Sequence, residues 1–168
     1  ESSLEKAIGL MSAQLEKEPR SLVVIVGPTA SGKTGLALAL AKHFAIEIVS
    51  ADSRLLYRGM NIGTAKPTND ERNQCVHHFI DIVDPNQPFS AADFQVKAIE
   101  VINDILQRGK TPLLVGGTML YVDAIVYSYQ WPEEIKDNGL KVKWRAKELV
   151  ELQSIANQLR PDIDQWID

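Results

Sequence analysis

One cysteine in 168 residues, Cys75, excludes an internal disulfide, and a lone thiol reads as a packed or surface group rather than a nucleophile. Long apolar runs are missing too. No stretch approaches the 18 residues that a membrane-crossing helix needs, and the acidic opening ESSLEKAIGLMSAQLEKEPR has the features of neither a signal nor a transit peptide. The expectation is a cytoplasmic protein with no membrane partner. Positive charge is not in excess: 18 Lys+Arg against 22 Asp+Glu give a net charge of −4, which removes any global electrostatic case for nucleic acid. An RNA partner would have to be met by a local patch. There is no initiating Met, so Glu1 is expected not to be the natural start. The length suits one domain burying roughly two-thirds of its unfolded surface.

What is present begins with VGPTASGKT, residues 26–34, set between the apolar run SLVVIV and the helix-forming GLALALAKHF. The pattern G-x-x-x-x-G-K-[ST] lies here in its required order of strand, loop and helix. In that geometry the amides of Gly27, Pro28's successor Thr29, Ala30, Ser31 and Gly32 and the helix N-terminus face an anion. Lys33 adds a mobile positive charge and the Thr34 hydroxyl a ligand for Mg²⁺. The bland alternative is a glycine-rich turn that only joins strand to helix.

The rest of the chain alternates. Ser2 and Glu5 form a capping-box signal for an N-terminal helix within residues 1–20, whose Leu4, Ile8, Met11 and Leu15 make one apolar stripe. IEIVSAD (46–52) is a second buried strand ending on a carboxylate, residues 58–75 a long polar loop, HFIDIV (78–83) a third strand, and TPLLVGG (111–117) a fourth. A helix of about 90–108 opens at Ser90 with Asp93 and stops at Gly109; another follows at TMLYVDAIVYS. This predicts an α/β fold over residues 21–130, a phosphate-loop NTPase-like parallel sheet with helices on both faces. Gly27–Thr34, Asp52 and Gly116–Thr118 then gather at the carboxyl rim of the sheet, where such folds bind ligands. Residues 131–168 change character: they show helical periodicity, with Leu149, Leu152, Ile155, Ala156 and Leu159 on one face, and no further strand.

A phosphate loop alone does not separate kinases, NTPases and other phosphate-ligand enzymes. The fourth strand ends in glycines where an NTPase usually places an Mg²⁺-holding Asp. Asp81 and Asp84 are possible substitutes, or simply turn carboxylates. Asp52, closing the second strand, is the natural general base for a substrate amine or hydroxyl, with a cap or salt bridge as its bland alternative. A small-molecule kinase using ATP and a non-catalytic nucleotide-binding remnant are the rival classes.

Five motifs in order, GPTASGKT, EIVSADSRLLYRGMNIGTAKP, HHFIDIVDP, FSAADF and PLLVGGTMLY, closely resemble the tRNA dimethylallyltransferases, also called tRNA isopentenyltransferases. The resemblance implies a prenyltransferase of tRNA modification, and it covers the N-terminal part of a typical member. It implies that the loop holds the diphosphate of dimethylallyl diphosphate while N6 of adenosine 37, beside the anticodon, attacks the allylic carbon. The diphosphate would leave rather than pass to an acceptor. It further implies catalytic roles for Asp52 as base, for Thr29 near the bridging oxygen and for Lys33. Diphosphate binding falls to Gly27, Pro28, Thr29, Ala30, Ser31, Gly32, Lys33, Thr34 and Thr118, and Mg²⁺ to Thr34. Asp52, Ser53, Arg54 and Leu55 match the segment that touches the flipped-out adenosine, and Arg58 and Lys66 lie in matching motifs within reach of phosphates.

The chain departs from the family where Leu55 stands for a frequent Gln and Asn61 for a common Asp. Residues 131–168 stand where the family inserts a helical tRNA-binding region. There KDNGLKVKWRAKE clusters Lys136, Lys141, Lys143, Arg145 and Lys147 around Trp144, a phosphate-tracking patch with a stacking platform or a solvated helix face. The family continues with helices that close the substrate channel and add a diphosphate-binding Arg. The stretch in hand, a monomer by expectation, should therefore bind the donor while modifying tRNA poorly or not at all.

Overall fold

A computed structural model describes residues 2–132 and 138–160. The chain divides into two compact units, Glu1–Gln130 and Trp131–Asp168. The first unit begins with helix α1 (Ser3–Lys17), whose start is set by Ser2: its hydroxyl accepts the Glu5 amide while the Glu5 carboxylate accepts the Ser2 amide. Strand β1 (Val23–Val26) leads through the glycine loop into α2 (Lys33–Ala41), and β2 (Ile46–Ala51) follows. After a long connection come α3 (Asn69–Gln74), β3 (His77–His78), α4 (Ala91–Gln107), β4 (Thr111–Gly116) and α5 (Met119–Val126). Ser90 and Asp93 cap α4 reciprocally, and Gly109, at φ 72°, follows its end.

All pairings are parallel, in the order β1-β4-β2-β3. Both central strands are buried along their whole length, as a parallel sheet covered on two sides requires. Alternation divides the side chains. Val49, Ala51 and Leu114 face α4 and α5, where Phe94 stacks on Tyr121 at 4.2 Å and meets Phe79 edge-on at 5.1 Å. Ile46, Ile48, Leu113 and Val115 face the other way, against Ala37, Leu38 and Leu40 of α2 and Met11 of α1. The N-terminal stripe is thus core, with Leu4, Ile8 and Leu15 half-buried beside Met11. Each fully buried Leu, Ile or Phe contributes about 1.5–3 kcal/mol, so the two layers supply most of what fixes the rim.

Two expectations are corrected. The loop expected over residues 58–75 contains α3, capped by Thr68 and Glu71 in a second reciprocal box. Its polar NDERNQ gives no apolar stripe, and the capping residues alone announce it. The strand expected over 78–83 is limited to His77–His78, because Phe79 (φ 65°) and Asp81 (φ 56°) turn left-handed. Residues 81–83 leave the sheet and donate instead to the carbonyls of Leu55 and Leu56.

In the second unit, α6 (Asn138–Arg145) and α7 (Leu149–Leu159) are helical, in line with the periodicity. Leu152, Ile155 and Ala156 are half-buried, whereas Leu149 and Leu159 are 69% and 80% exposed.

Candidate active site

Three chain segments leave the sheet at its carboxyl edge and meet. The first is the loop after β1. Gly32 adopts φ 86° just before α2, a conformation open to glycine, and Ala30 accepts φ 63° at a cost of about 1–2 kcal/mol. A side chain on Gly27 would come within 3.0 Å of the Ser31 hydroxyl, so the loop is closely packed there and Ser31 would have to turn aside. Lys33 Nζ donates to the carbonyls of Gly27 (2.8 Å) and Pro28 (2.7 Å), which holds the ammonium over the loop. First-turn amides of a helix have no intrahelical partners and carry partial positive charge. Those of α2 open on the same side.

The second segment follows β2. Asp52 is half-buried and its Oδ1 accepts the Arg54 amide at 2.9 Å, an Asx turn that fixes the carboxylate at the rim. Its Oδ2 has no protein partner among the described residues. The third follows β4: Thr118 donates its amide to the Ala51 carbonyl (3.1 Å), and its hydroxyl accepts the Ser53 amide (3.0 Å). Thr118 therefore stitches the ends of β2 and β4 together. Gly116 makes the approach possible, since a side chain there would lie 2.1 Å from the Ala51 oxygen.

A cavity of about 340 Å³ opens between the loop and β2. Thr29, Ala30, Ser31, Gly32, Lys33, Thr34 and Asp52 line it, together with apolar Ala37, Ile48, Leu55, Ile80 and Val115. A second cavity of about 360 Å³ is lined by Gly27, Pro28, Thr29, Asp52, Ser53, Arg54 and Thr118. The predicted residues thus meet at one rim but separate into two compartments. Thr118 and Ser53 line only the second, Lys33 and Thr34 only the first, and Leu55 is a buried wall of the first.

Several predicted charges are committed elsewhere. Lys66, whose side chain is 6% exposed, donates to Asp81 (2.6 Å), Asn61 and the Tyr57 carbonyl; Arg72 also binds Asp81, and Arg58 binds Asp84. Burial pushes the Asp81 carboxyl up, but Lys66 and Arg72 outweigh it and hold the group below its ordinary value. Asp81 and Asp84 line neither cavity: they anchor the long loop. In the second unit Lys143 Nζ lies 5.5 Å from the Trp144 ring centroid and Lys147 pairs with Glu151. Lys136 and the Lys141 side chain lie outside the described residues.

Other cavity residues carry no sequence signal of their own. Ser50, Thr64 and His77 line the first cavity. His77 donates through Nδ1 to the Cys75 carbonyl, its Nε2 has no partner among the described residues, and burial pushes its pKa down. Cys75 is itself buried, its thiol pushed up by burial. Away from the rim, buried Glu47 accepts from Arg108, Lys110 and His78. The Arg108 guanidinium, against the opposing effect of burial, holds that carboxyl far below the usual range.

A glycine loop of the pattern G-x-x-x-x-G-K-[ST] thus faces a strand-end carboxylate across one cavity at the carboxyl edge of an α/β sheet. A family model described as "IPP transferase" matches residues 55–167. The tRNA dimethylallyltransferase of Burkholderia ambifaria is 56% identical over 115 residues, covering 68% of this chain and 36% of that protein. The Burkholderia pseudomallei enzyme is 57% identical over the same shares. Among solved structures, the tRNA isopentenylpyrophosphate transferase of Bacillus halodurans superimposes with a TM-score of 0.66 at 40% identity, over 89% of this chain and 50% of that one. A eukaryotic dimethylallyltransferase acting on tRNA gives 0.76 at 26% identity, over 88% and 37%. The chain belongs to the IPP transferase family, and it spans between about a third and a half of the length of these relatives.

Proposed function

We propose that the chain forms the donor-binding and proton-accepting part of a tRNA dimethylallyltransferase, which moves a dimethylallyl group from dimethylallyl diphosphate to N6 of an anticodon-loop adenosine. The observation that carries this reading is the shared cavity. A cationic phosphate loop, the Asp52 carboxylate and an apolar wall of Ala37, Ile48, Ile80 and Val115 line one space, suited to a ligand with an anionic head and a short apolar tail. An ATP-using kinase does not call for that wall, and the family membership favours the transferase over it.

In this reading Lys33 and the amides of the loop hold the diphosphate and stabilise the charge that grows on it as the allylic carbon–oxygen bond breaks. Thr29, at the edge of both cavities, stands by the bridging oxygen. The nitrogen–carbon bond forms as the bonding pair of the old bond leaves with diphosphate, and Asp52 takes the N6 proton. That base is needed because the N6 lone pair is delocalised into the purine and nucleophilic only as its proton departs. Ser53 and Arg54, in the second cavity, would contact the adenosine, which must leave its stack to arrive there. Thr34 and Ser50 are hard oxygen donors on the first cavity and would hold Mg²⁺ there. When bound, that ion neutralises charge on the diphosphate. The setting is a cytoplasmic monomer acting on tRNA.

Calorimetric titration with dimethylallyl diphosphate, inorganic diphosphate and ATP tests the reading. The first two should bind competitively, and Lys33→Ala should abolish the heat of both while leaving the melting curve in place. Binding of ATP alone would replace the transferase by the kinase.

A further inference from the structure

The donor and acceptor cavities share four lining residues, Thr29, Asp52, Thr64 and Gly117. Each comes from a different segment, and all four border both compartments. Thr29 and Asp52 already have roles, and Gly117 contributes backbone. Thr64 has none. The residue is 9% exposed, and its hydroxyl donates to the Met60 carbonyl at 2.8 Å. The single hydroxyl proton is thereby used, so Thr64 has shape to offer at this point and no acid.

The backbone turns left-handed on both sides of it: Gly63 at φ 73°, which glycine adopts freely, and Ala65 at φ 49°, which alanine does not. An alanine in that region costs about 1–2 kcal/mol and persists where its surroundings over-determine it. Here the next residue supplies the restraint: buried Lys66 spends its three protons on Tyr57, Asn61 and Asp81. A strained, clamped segment fixes one β-branched side chain at the boundary between two cavities.

We propose that Thr64 is a positioning residue that sets the width of the passage between the two cavities, and with it the approach of the donor's reacting carbon to the acceptor amine. The inference rests on the proposed function, because only a transfer between two substrates needs a passage. Reacting atoms must come within about 3–3.5 Å, and a misplacement of about 1 Å costs roughly 10²-fold in rate. A side chain larger than threonine at 64 should therefore block joint occupancy while leaving the phosphate loop alone.

The probe is a bisubstrate compound, adenosine joined through N6 by a five-carbon prenyl chain to a methylene diphosphonate, compared by calorimetry with inorganic diphosphate. The chain should bind the bisubstrate compound more tightly than diphosphate. Thr64→Phe, and the less bulky Thr64→Ile should the first not fold, should weaken the bisubstrate compound by tenfold or more and leave diphosphate within twofold. The conservative Thr64→Val, of similar volume, should restore the tighter binding. Equal affinities for both ligands in every Thr64 variant and the parent would overturn the function reading itself. A parent that prefers the bisubstrate compound, with Thr64→Phe and Thr64→Ile preferring it as strongly, would overturn the passage alone. Parallel loss of both ligands would make Thr64 part of the diphosphate wall and refute the inference as well.

Discussion

Gly116→Ala is the most direct test of how the rim is assembled. Gly116 pairs with Ala51 at the last rung between β4 and β2. The added methyl would lie 2.1 Å from the Ala51 oxygen and 2.4 Å from its carbonyl carbon, atoms that no rotamer change can move. The strand ends must part by about 1 Å to reach even the tightest contact that real side chains make. That displacement strikes the carbonyl that accepts the Thr118 amide, and through Thr118 it strikes Ser53. Overpacking of this kind costs about 1–3 kcal/mol, the upper part applying where backbone is hit. For a chain of this size, 2–3 kcal/mol lowers the melting temperature by roughly 4–12 °C.

The neighbouring glycine supplies the control. A methyl on Gly117 would meet the Gly27 oxygen at 3.5 Å, an ordinary contact, so Gly117→Ala should stay within about 0.5 kcal/mol of the parent. Thermal and urea unfolding followed by circular dichroism, with diphosphate titration on the same samples, measures both. Gly116→Ala should lose stability and bind diphosphate about tenfold more weakly, the equivalent of about 1.4 kcal/mol. If the two variants unfold together with the parent, the close approach of the strand ends does not hold the site and the reasoning fails.

Glu47→Gln should cost about 2 kcal/mol in urea unfolding, below the 3–5 kcal/mol of fully buried pairs because Arg108 and Lys110 are each 40% exposed. The folded carboxyl takes its proton far less readily than the unfolded one, so its contribution is full above about pH 4.5 and drains as pH falls below that; the variant should therefore lose less stability than the parent between pH 5 and pH 3. His77→Leu acts in a higher window. Burial keeps the folded ring neutral while the unfolded ring gains a proton below about pH 6.5, so the parent loses stability as pH falls from there, and the variant's melting temperature should change less between pH 7 and pH 5.

How much of this was legible depends on distance along the chain. The loop, the capped starts of α1 and α4 and the stripe of α1 rest on residues within a few positions of one another, and the sequence carries each as a local pattern. The rule that ligands meet strand ends was enough to bring Asp52 and Gly116–Thr118 to the loop. α3 leaves no periodic signal because it buries no residue, and only Thr68 and Glu71, repeating the pattern of Ser2 and Glu5, mark it. The shortening of β3 was hidden because left-handed φ at Phe79 and Asp81 comes from what the segment bonds to, the carbonyls of Leu55 and Leu56, and not from its own composition.

The partners of the charged residues were hidden for a related reason, and it bears on the site. Lys66 and Arg58 stand in a segment that resembles phosphate-contacting motifs, yet a cation's task is decided by which carboxylates the fold brings near it. The turn at residues 79–84 brings Asp81 and Asp84, 15 and 26 residues away. A buried ammonium without such partners would be costly; with them it becomes a clamp. The sheet does the same at Glu47, a lone acid in an apolar strand, by delivering Arg108 and Lys110 from more than 60 residues away. Once these pairs are set aside, Lys33 is the basic side chain that lines the first cavity and Arg54 the one that lines the second. The transfer proposed above, in which an anionic leaving group would depart on one side and a polyanionic acceptor enter on the other, would need positive charge in both compartments, and the fold leaves one basic side chain on each after the cations of the long connection have been paired.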